Sequence, residues 1–238
     1  IINSTADHAC AYKPNLAFYE SIGIEGLRYL EATVEHIRRR APNAVIIGDG
    51  KRGDIASTSE AYSKAMFDRW GFDATTVNAY GGMESLEPFF QYEDKGVYIW
   101  CRSSNPGAVE FQDLFVKRGN NKPVKLFEHI ALSSTRWESK AMIGLVAGAP
   151  YPGELQGLRK IAPNTPILAP GIGAQGGDLK SVIKHGIDQS GRGLMINSSR
   201  SILYASHSAN GYGSAANMAV IKLKDDINKL LCENGFEW

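Results

Sequence analysis

Residues 46–55 read Ile-Ile-Gly-Asp-Gly-Lys-Arg-Gly-Asp-Ile, an apolar run that passes directly into Asp49, Lys51 and Asp54 with glycines between them. Side chains two apart on a strand share a face, so Asp49 and Lys51 point the same way if this run is a strand. Asp54 follows Gly53 out of that register and belongs to the next loop, where it can turn over the strand end or reach a neighbouring subunit. Taken alone, an Asp–Lys pair at a strand end is most often a solvated ion pair that contributes little. Lys13 changes that balance, because it too ends a short apolar run, immediately before Pro14. Two lysines and two aspartates at neighbouring strand ends would form a charge-balanced cluster, in which the carboxylates favour the ammonium form of each lysine. A lysine held and aimed in this way can stabilise developing negative charge and then deliver a proton.

A second group of residues has the types needed to hold an anion. Pro170 is followed by glycines at 171, 173, 176 and 177, which let backbone N–H groups approach an anion closely. Arg200, at the end of the next unit, offers a forked cation for the same anion. The five histidines have no metal-ligand spacing, and the scattered serines lack a nucleophile elbow or a histidine and acid in register. No metal site and no cofactor are expected.

The elements that must position these residues are repeated. Seven short apolar or β-branched runs, at residues 9–14, 44–51, 74–81, 96–103, 142–150, 166–173 and 193–200, each end in a polar or glycine-bearing turn. Most are followed by a stretch of helical period, the mark of parallel βα units. Between the first two, Leu27, Leu30, Val34 and Ile37 predict a helix, and Arg38, Arg39 and Arg40 cap its C-terminal end. An open doubly wound sheet would gather its chemistry at one switch point, whereas here polar residues end nearly every unit, which fits a closed (β/α)₈ barrel. A barrel needs eight strands, so the first strand is expected to be absent from the chain as given. One barrel domain over residues 1–238 is expected.

Composition narrows the function. Twenty-six Lys and Arg nearly balance 25 Asp and Glu, so nothing marks a general polyanion-binding surface and nucleic acid is not an expected partner. No apolar run approaches the roughly 20 residues that span a bilayer, and the N-terminal segment lacks the features of a secretion signal. A cytoplasmic protein with no membrane partner is expected. Cys10, Cys101 and Cys232 are too few and too scattered for a disulfide framework and read as reduced, structural residues.

The Asp-x-Lys-x-x-Asp-Ile motif, preceded by Lys13 in Cys-Ala-Tyr-Lys-Pro-Asn, resembles the orotidine 5′-phosphate decarboxylases, in the longer form of that family. The resemblance continues through Ser103-Ser104-Asn105-Pro106-Gly107, through residues 170–177 and through Asn197-Ser198-Ser199-Arg200, in the same order along nearly the whole chain. It implies a cofactor-independent decarboxylation of a nucleotide. Asp49 would press on the substrate carboxylate, and Lys51 would stabilise and protonate the carbanion at pyrimidine C6. Lys13 would link the array to the ribose. The resemblance further implies a homodimer with composite sites, Asp54 and Thr58 reaching the partner's ribose hydroxyls. Asn15, Pro170, Gly171, Gly173, Ser199 and Arg200 would surround the nucleotide and its phosphate. Gln175 would span phosphate and base, and Ser104, with Ser103 as the competing assignment, would bond the base. The family's further aspartate on its first strand has no counterpart here. Two other readings remain: a metal-dependent sugar-phosphate decarboxylase or synthase of the same superfamily, and a non-catalytic protein that binds nucleotide phosphates.

Overall fold

The computed structural model describes residues 1–117, 119, 122–173 and 177–237. In chain order the elements are α1 (Ile2–Thr5), β1 (Ala11–Tyr12), α2 (Leu16–Glu20), α3 (Ile24–Arg40), β2 (Val45–Arg52), α4 (Ala56–Lys64), β3 (Ala74–Val77), α5 (Glu87–Phe90) and β4 (Gly96–Arg102). They continue with α6 (Val109–Gln112), β5 (Phe115–Val116), β6 (Val124–Lys125), α7 (Leu126–Ser134), β7 (Met142–Ala147), α8 (Pro152–Ile161), β8 (Ile167–Pro170), α9 (Leu179–Gly186), β9 (Leu194–Asn197), α10 (Arg200–Leu203) and α11 (Tyr212–Glu233). A strand forms in each of the seven runs picked out from the sequence. The repeated parallel βα pattern is that of the (β/α)₈-barrel class, with seven such strands among the described residues. The short antiparallel ribbon of β5 with β6 was not anticipated; it pairs Phe115 with Lys125 and Val116 with Val124.

The chain divides into two compact units. The first holds residues 1–98, 139–142 and 199–224. Here β2 is the central element, paired in parallel with β1 on one side and β3 on the other. Ile46 and Ile47 are completely buried, as are Leu30 and Ile37 to within 1% on the inner face of α3. That helix buries Gly26, Leu30, Val34 and Ile37, spacings of four, four and three that make one stripe. Its closing arginines do more than cap: Arg38 donates to the carbonyl of Gly71 at 2.9 Å and to the Asp73 carboxylate at 2.6 Å. Asp73 in turn accepts from the backbone N–H of Ile46 at 2.7 Å, so the arginine braces the start of β3 against β2.

The second unit holds residues 99–138, 143–198 and 225–238. Its strands β7, β8 and β9 pair in parallel, and Arg159 on α8 ties the surrounding turns together. The guanidinium donates to the carbonyls of Gly186, Ala162, Pro163, Thr165 and Gly193 at 2.6–3.2 Å. Five carbonyls that end helices or precede strands are thereby satisfied by one buried cation.

Two glycines test this packing in opposite directions. A Cβ at Gly26 would stand 1.9 Å from the Tyr19 carbonyl oxygen, whereas one at Gly157, inside α8, would meet only a Glu128 carboxylate oxygen at 3.8 Å. Gly26→Ala is expected to destabilise the protein by about 1–3 kcal/mol through overpacking. Gly157→Ala should stabilise it by roughly 0.5–1 kcal/mol through helix propensity. Urea unfolding of the two variants checks both signs.

Candidate active site

The charged cluster lies at the C-terminal end of β2 in the first unit. The Asp49 carboxylate is 7% exposed, and each of its oxygens meets an ammonium group: Lys13 Nζ stands 2.5 Å from Oδ2 and Lys51 Nζ 2.7 Å from Oδ1. Thr76, on β3, donates its hydroxyl to the same Oδ1 at 2.8 Å. Lys13 arrives there because β1 runs alongside β2 and the Asp49 N–H bonds the Pro14 carbonyl at 2.9 Å. Burial acts to raise the Asp49 pKa and is the largest single influence. The charges and hydrogen bonds of Lys13 and Lys51 together outweigh it, and the carboxyl is lowered from 3.8 to about 2.

Asp49 and Lys51 do meet on one face, though not by regular pleating. Gly48 pairs with Thr75 and Arg52 with Val77, so residues 49–51 of β2 lie opposite Thr76 alone. Within this bulge Lys51 adopts φ +46°, the one non-glycine residue with positive φ among those described. Such a conformation is sparsely populated for a side-chain-bearing residue and is typical of functional sites.

The other predicted residues take varied positions. Asp54 is exposed; its backbone N–H bonds the Ser59 hydroxyl at 3.0 Å and its Oδ1 accepts from the Ile55 N–H at 2.7 Å. Thr58 is half-buried in α4, and Asn15 caps α2 by accepting from the Ala17 N–H at 3.1 Å. Ser199 and Arg200 are exposed at the start of α10.

In the second unit, Pro170 ends β8, and Gly171 and Gly173 have φ of +108° and +83°, conformations open to glycine. The Gly177 N–H bonds the Gly171 carbonyl at 3.3 Å. Gln175 lies outside the described residues. After β4, Ser103 is buried and its hydroxyl accepts from the Asn105 N–H at 3.1 Å, whereas Ser104 is half-buried and its hydroxyl makes no hydrogen bond among the described residues.

Sequence reasoning missed three contributors. Thr76 looked like one more β-branched strand residue. Arg102 and Gln112 also passed unnoticed: Gln112 Oε1 accepts from the Ser103 N–H at 2.9 Å and from Arg102 Nη1 at 3.1 Å, which pins the backbone where the Ser103–Ser104 segment leaves β4. The three cysteines read as reduced and structural differ in burial. Cys101 is buried, its thiol pushed up to about 12 by burial, while Cys10 and Cys232 are exposed; all three are free. Among the described residues no helix is long and apolar enough to cross a membrane.

Parallel βα units with a Lys–Asp–Lys array at the strand ends define a barrel protein whose charged chemistry sits at the C-terminal ends of its strands. The pattern of the orotidine 5′-phosphate decarboxylase / HUMPS family matches residues 1–212, and the chain belongs to that family of enzymes. Orotidine 5′-phosphate decarboxylase of Thermomicrobium roseum is 46% identical over 231 residues, covering 97% of this chain and 80% of that one. The protein of the same name from Dehalococcoides mccartyi is 45% identical, covering 96% and 83%. Among solved structures, Leishmania donovani OMP decarboxylase superposes with a TM-score of 0.84 at 34% identity, covering 97% of this chain and 84% of that one. Leishmania donovani UMP synthase gives a TM-score of 0.84 at 36% identity, and the chain spans about half (48%) of that longer protein.

The depressed Asp49 pKa makes a signed prediction. A carboxyl lowered from 3.8 to about 2 adds stability above pH 3.8 that is lost as pH falls toward 2. The full effect is on the order of 2 kcal/mol. The stability gap between the wild type and Asp49→Asn should therefore be widest above pH 5 and close between pH 4 and pH 2. A gap that does not change over this range would show that Asp49 is not held ionised.

Proposed function

We propose that the chain decarboxylates orotidine 5′-phosphate to UMP, a step of pyrimidine biosynthesis, without a cofactor. The observation that carries this reading is the Asp49 carboxylate with an ammonium group on each oxygen, in a chain of this family. In the proposed reaction the bond from pyrimidine C6 to the carboxylate breaks, CO₂ leaves, and the electron pair stays on C6. The Lys51 ammonium stabilises that charge and transfers its proton to C6. Asp49 keeps Lys51 aimed and stands against the substrate carboxylate; stabilisation by Lys51 contributes more than that repulsion. Lys13 holds the far oxygen of Asp49 and extends the array toward the ribose.

The remaining assignments follow from family membership and are supported by residue type. Pro170, Gly171, Gly173, Gln175, Ser199 and Arg200 bind the phosphate end, where Gly171 and Gly173, both of positive φ, let backbone N–H groups approach an anion closely. Ser104, whose hydroxyl is uncommitted among the described residues, bonds the base. Asn15 lines the nucleotide site beside Lys13. Asp54 and Thr58 act across a homodimer on the partner's ribose. A Mg²⁺-dependent reaction would need oxygen ligands, and both oxygens of Asp49 already face lysines.

Loss of orotate absorbance on mixing with orotidine 5′-phosphate, with and without chelator, tests the reading. Turnover that survives chelation is expected, and Lys51→Ala should lower kcat by about a thousandfold or more while product-like nucleotide still binds. Tight UMP binding with no turnover by the wild type would favour a binding protein, and loss of activity with chelator a metal enzyme.

The shared-site assignment is tested separately. Asp54→Ala and Lys51→Ala chains, once shown to exchange subunits, should regenerate activity well above either parent, because a hybrid dimer has one site with both residues intact. Confirmed exchange with activity at the parental level would place Asp54 and Thr58 outside the partner's site.

A further inference from the structure

The bulge in β2 leaves one backbone group in need of a partner. Three residues, Asp49, Gly50 and Lys51, face the single residue Thr76, so the parallel ladder is broken where Lys51 sits. The Lys51 N–H bonds the side chain of Thr76 instead, donating to Oγ1 at 3.0 Å. The same oxygen donates to Asp49 Oδ1 at 2.8 Å. A threonine hydroxyl has one proton, and an ionised carboxylate can only accept. With the Lys51 N–H directed at Oγ1, that proton points to Asp49, and the two bonds run in one direction from the Lys51 backbone through Thr76 to the carboxylate.

Thr76 is 1% exposed and is held on the strand that carries it. Its neighbour Thr75 bonds the Gly48 carbonyl at 2.9 Å through its own hydroxyl, fixing the edge of the bulge one residue earlier. Asp49 Oδ1 thus receives Thr76 Oγ1 and Lys51 Nζ together, while Lys13 takes Oδ2. Lys51 is tied by its ammonium to Asp49 and, second, by its backbone to Thr76. The second tie holds the residue at φ +46°, a conformation that the chain keeps only where its surroundings impose it.

We propose that Thr76 is a positioning residue for the decarboxylation: its hydroxyl locks the Asp49 carboxylate and the Lys51 backbone in one fixed relation, which sets the direction of the Lys51 ammonium. The proposal rests on the function assigned above. Thr76 acts through Asp49 and Lys51, the two residues its hydroxyl bonds. A misaimed proton donor loses rate more than affinity, because the loss is felt as charge develops at the reacting carbon.

Thr76→Val keeps the shape and β-branching and removes only the hydroxyl, whereas Thr76→Ser keeps the hydroxyl. In Thr76→Val, kcat for orotidine 5′-phosphate should fall roughly tenfold to a hundredfold, the loss expected for a hydrogen bond to a charged group. KM should stay within about threefold of wild type. Thr76→Ser should recover most of the rate. In the protein without substrate, ¹³C titration of the Asp49 carboxyl, which faces Lys13 and Lys51, should have a higher midpoint in Thr76→Val and return toward wild type in Thr76→Ser. If the valine variant does not fold, Thr76→Ala against Thr76→Ser makes the same comparison.

Wild-type kcat in Thr76→Val, or equal losses in the valine and serine variants, would overturn the proposal. Absence of orotidine 5′-phosphate turnover by the wild type would instead overturn the functional reading. The ¹³C titration then judges Thr76 alone, and a midpoint unmoved in Thr76→Val would still sink the positioning role.

Discussion

A carboxylate that is 7% exposed must be neutralised where it stands, and the arrangement around Asp49 follows from that requirement. Removing a lone ion from water costs several kcal/mol even after relaxation, so both oxygens of Asp49 need charged or hydrogen-bonding partners. Lys13, Lys51 and Thr76 supply them from three adjacent strand ends. Apolar residues of similar volume could fill such a space with equal or greater stability. What the ionic version adds is direction: two ammonium groups are fixed against one carboxylate, and Lys51 keeps a side chain that is 35% exposed. The array therefore combines a buried anchor with a reachable cation.

The surrounding packing makes room for the bulge that creates this geometry. A Cβ at Gly48 would lie 2.3 Å from the Phe72 ring, and one at Gly53 would lie 2.4 Å from the Asn78 carbonyl oxygen. Side chains at these positions would push β2 away from its neighbours at either end of the irregular stretch. The Gly48 site lets Phe72, itself completely buried, press against the strand. The Gly53 site lets the chain turn toward α4 close to β3. The strain at Lys51 is of order 1–3 kcal/mol and is balanced by contacts formed only when the bulge is present.

Much of this could be read in the sequence, and the limits have physical causes. Strands such as Ala74–Val77, where all four residues are buried, were legible because a strand buried on both faces needs an unbroken apolar or β-branched run. The stripe of α3 was legible for the equivalent reason at helical period. The meeting of Asp49 with Lys51 was anticipated from a regular pleat, yet it arises from a bulge, which has no local signature beyond the glycines around it. Thr76 was invisible because a buried threonine in a strand is ordinarily a packing residue, and its role depends on which atoms the neighbouring strand leaves unpaired. Arg38 was read as a helix cap because its partner, Asp73, lies 35 residues away.

Arg102 clarifies why the Asp49 array reads as a site and other buried charges do not. Its guanidinium is 1% exposed, stands 3.4 Å from Asp113 and 3.7 Å from Glu154, and lies over the Tyr151 ring at 4.3 Å. Here too a buried ion is paired, and a hydrogen bond to Gln112 fixes its direction. The difference is where the restraint leads. Around Arg102 the bonds run inward to the backbone of Ser103, whose own hydroxyl is committed to the Asn105 N–H, so the cluster shapes a chain segment. Around Asp49 the bonds run outward to an ammonium group that solvent can reach. A buried charge whose bonds end in the backbone of a neighbouring segment is scaffold; one that aims an accessible, proton-bearing partner is equipped for chemistry.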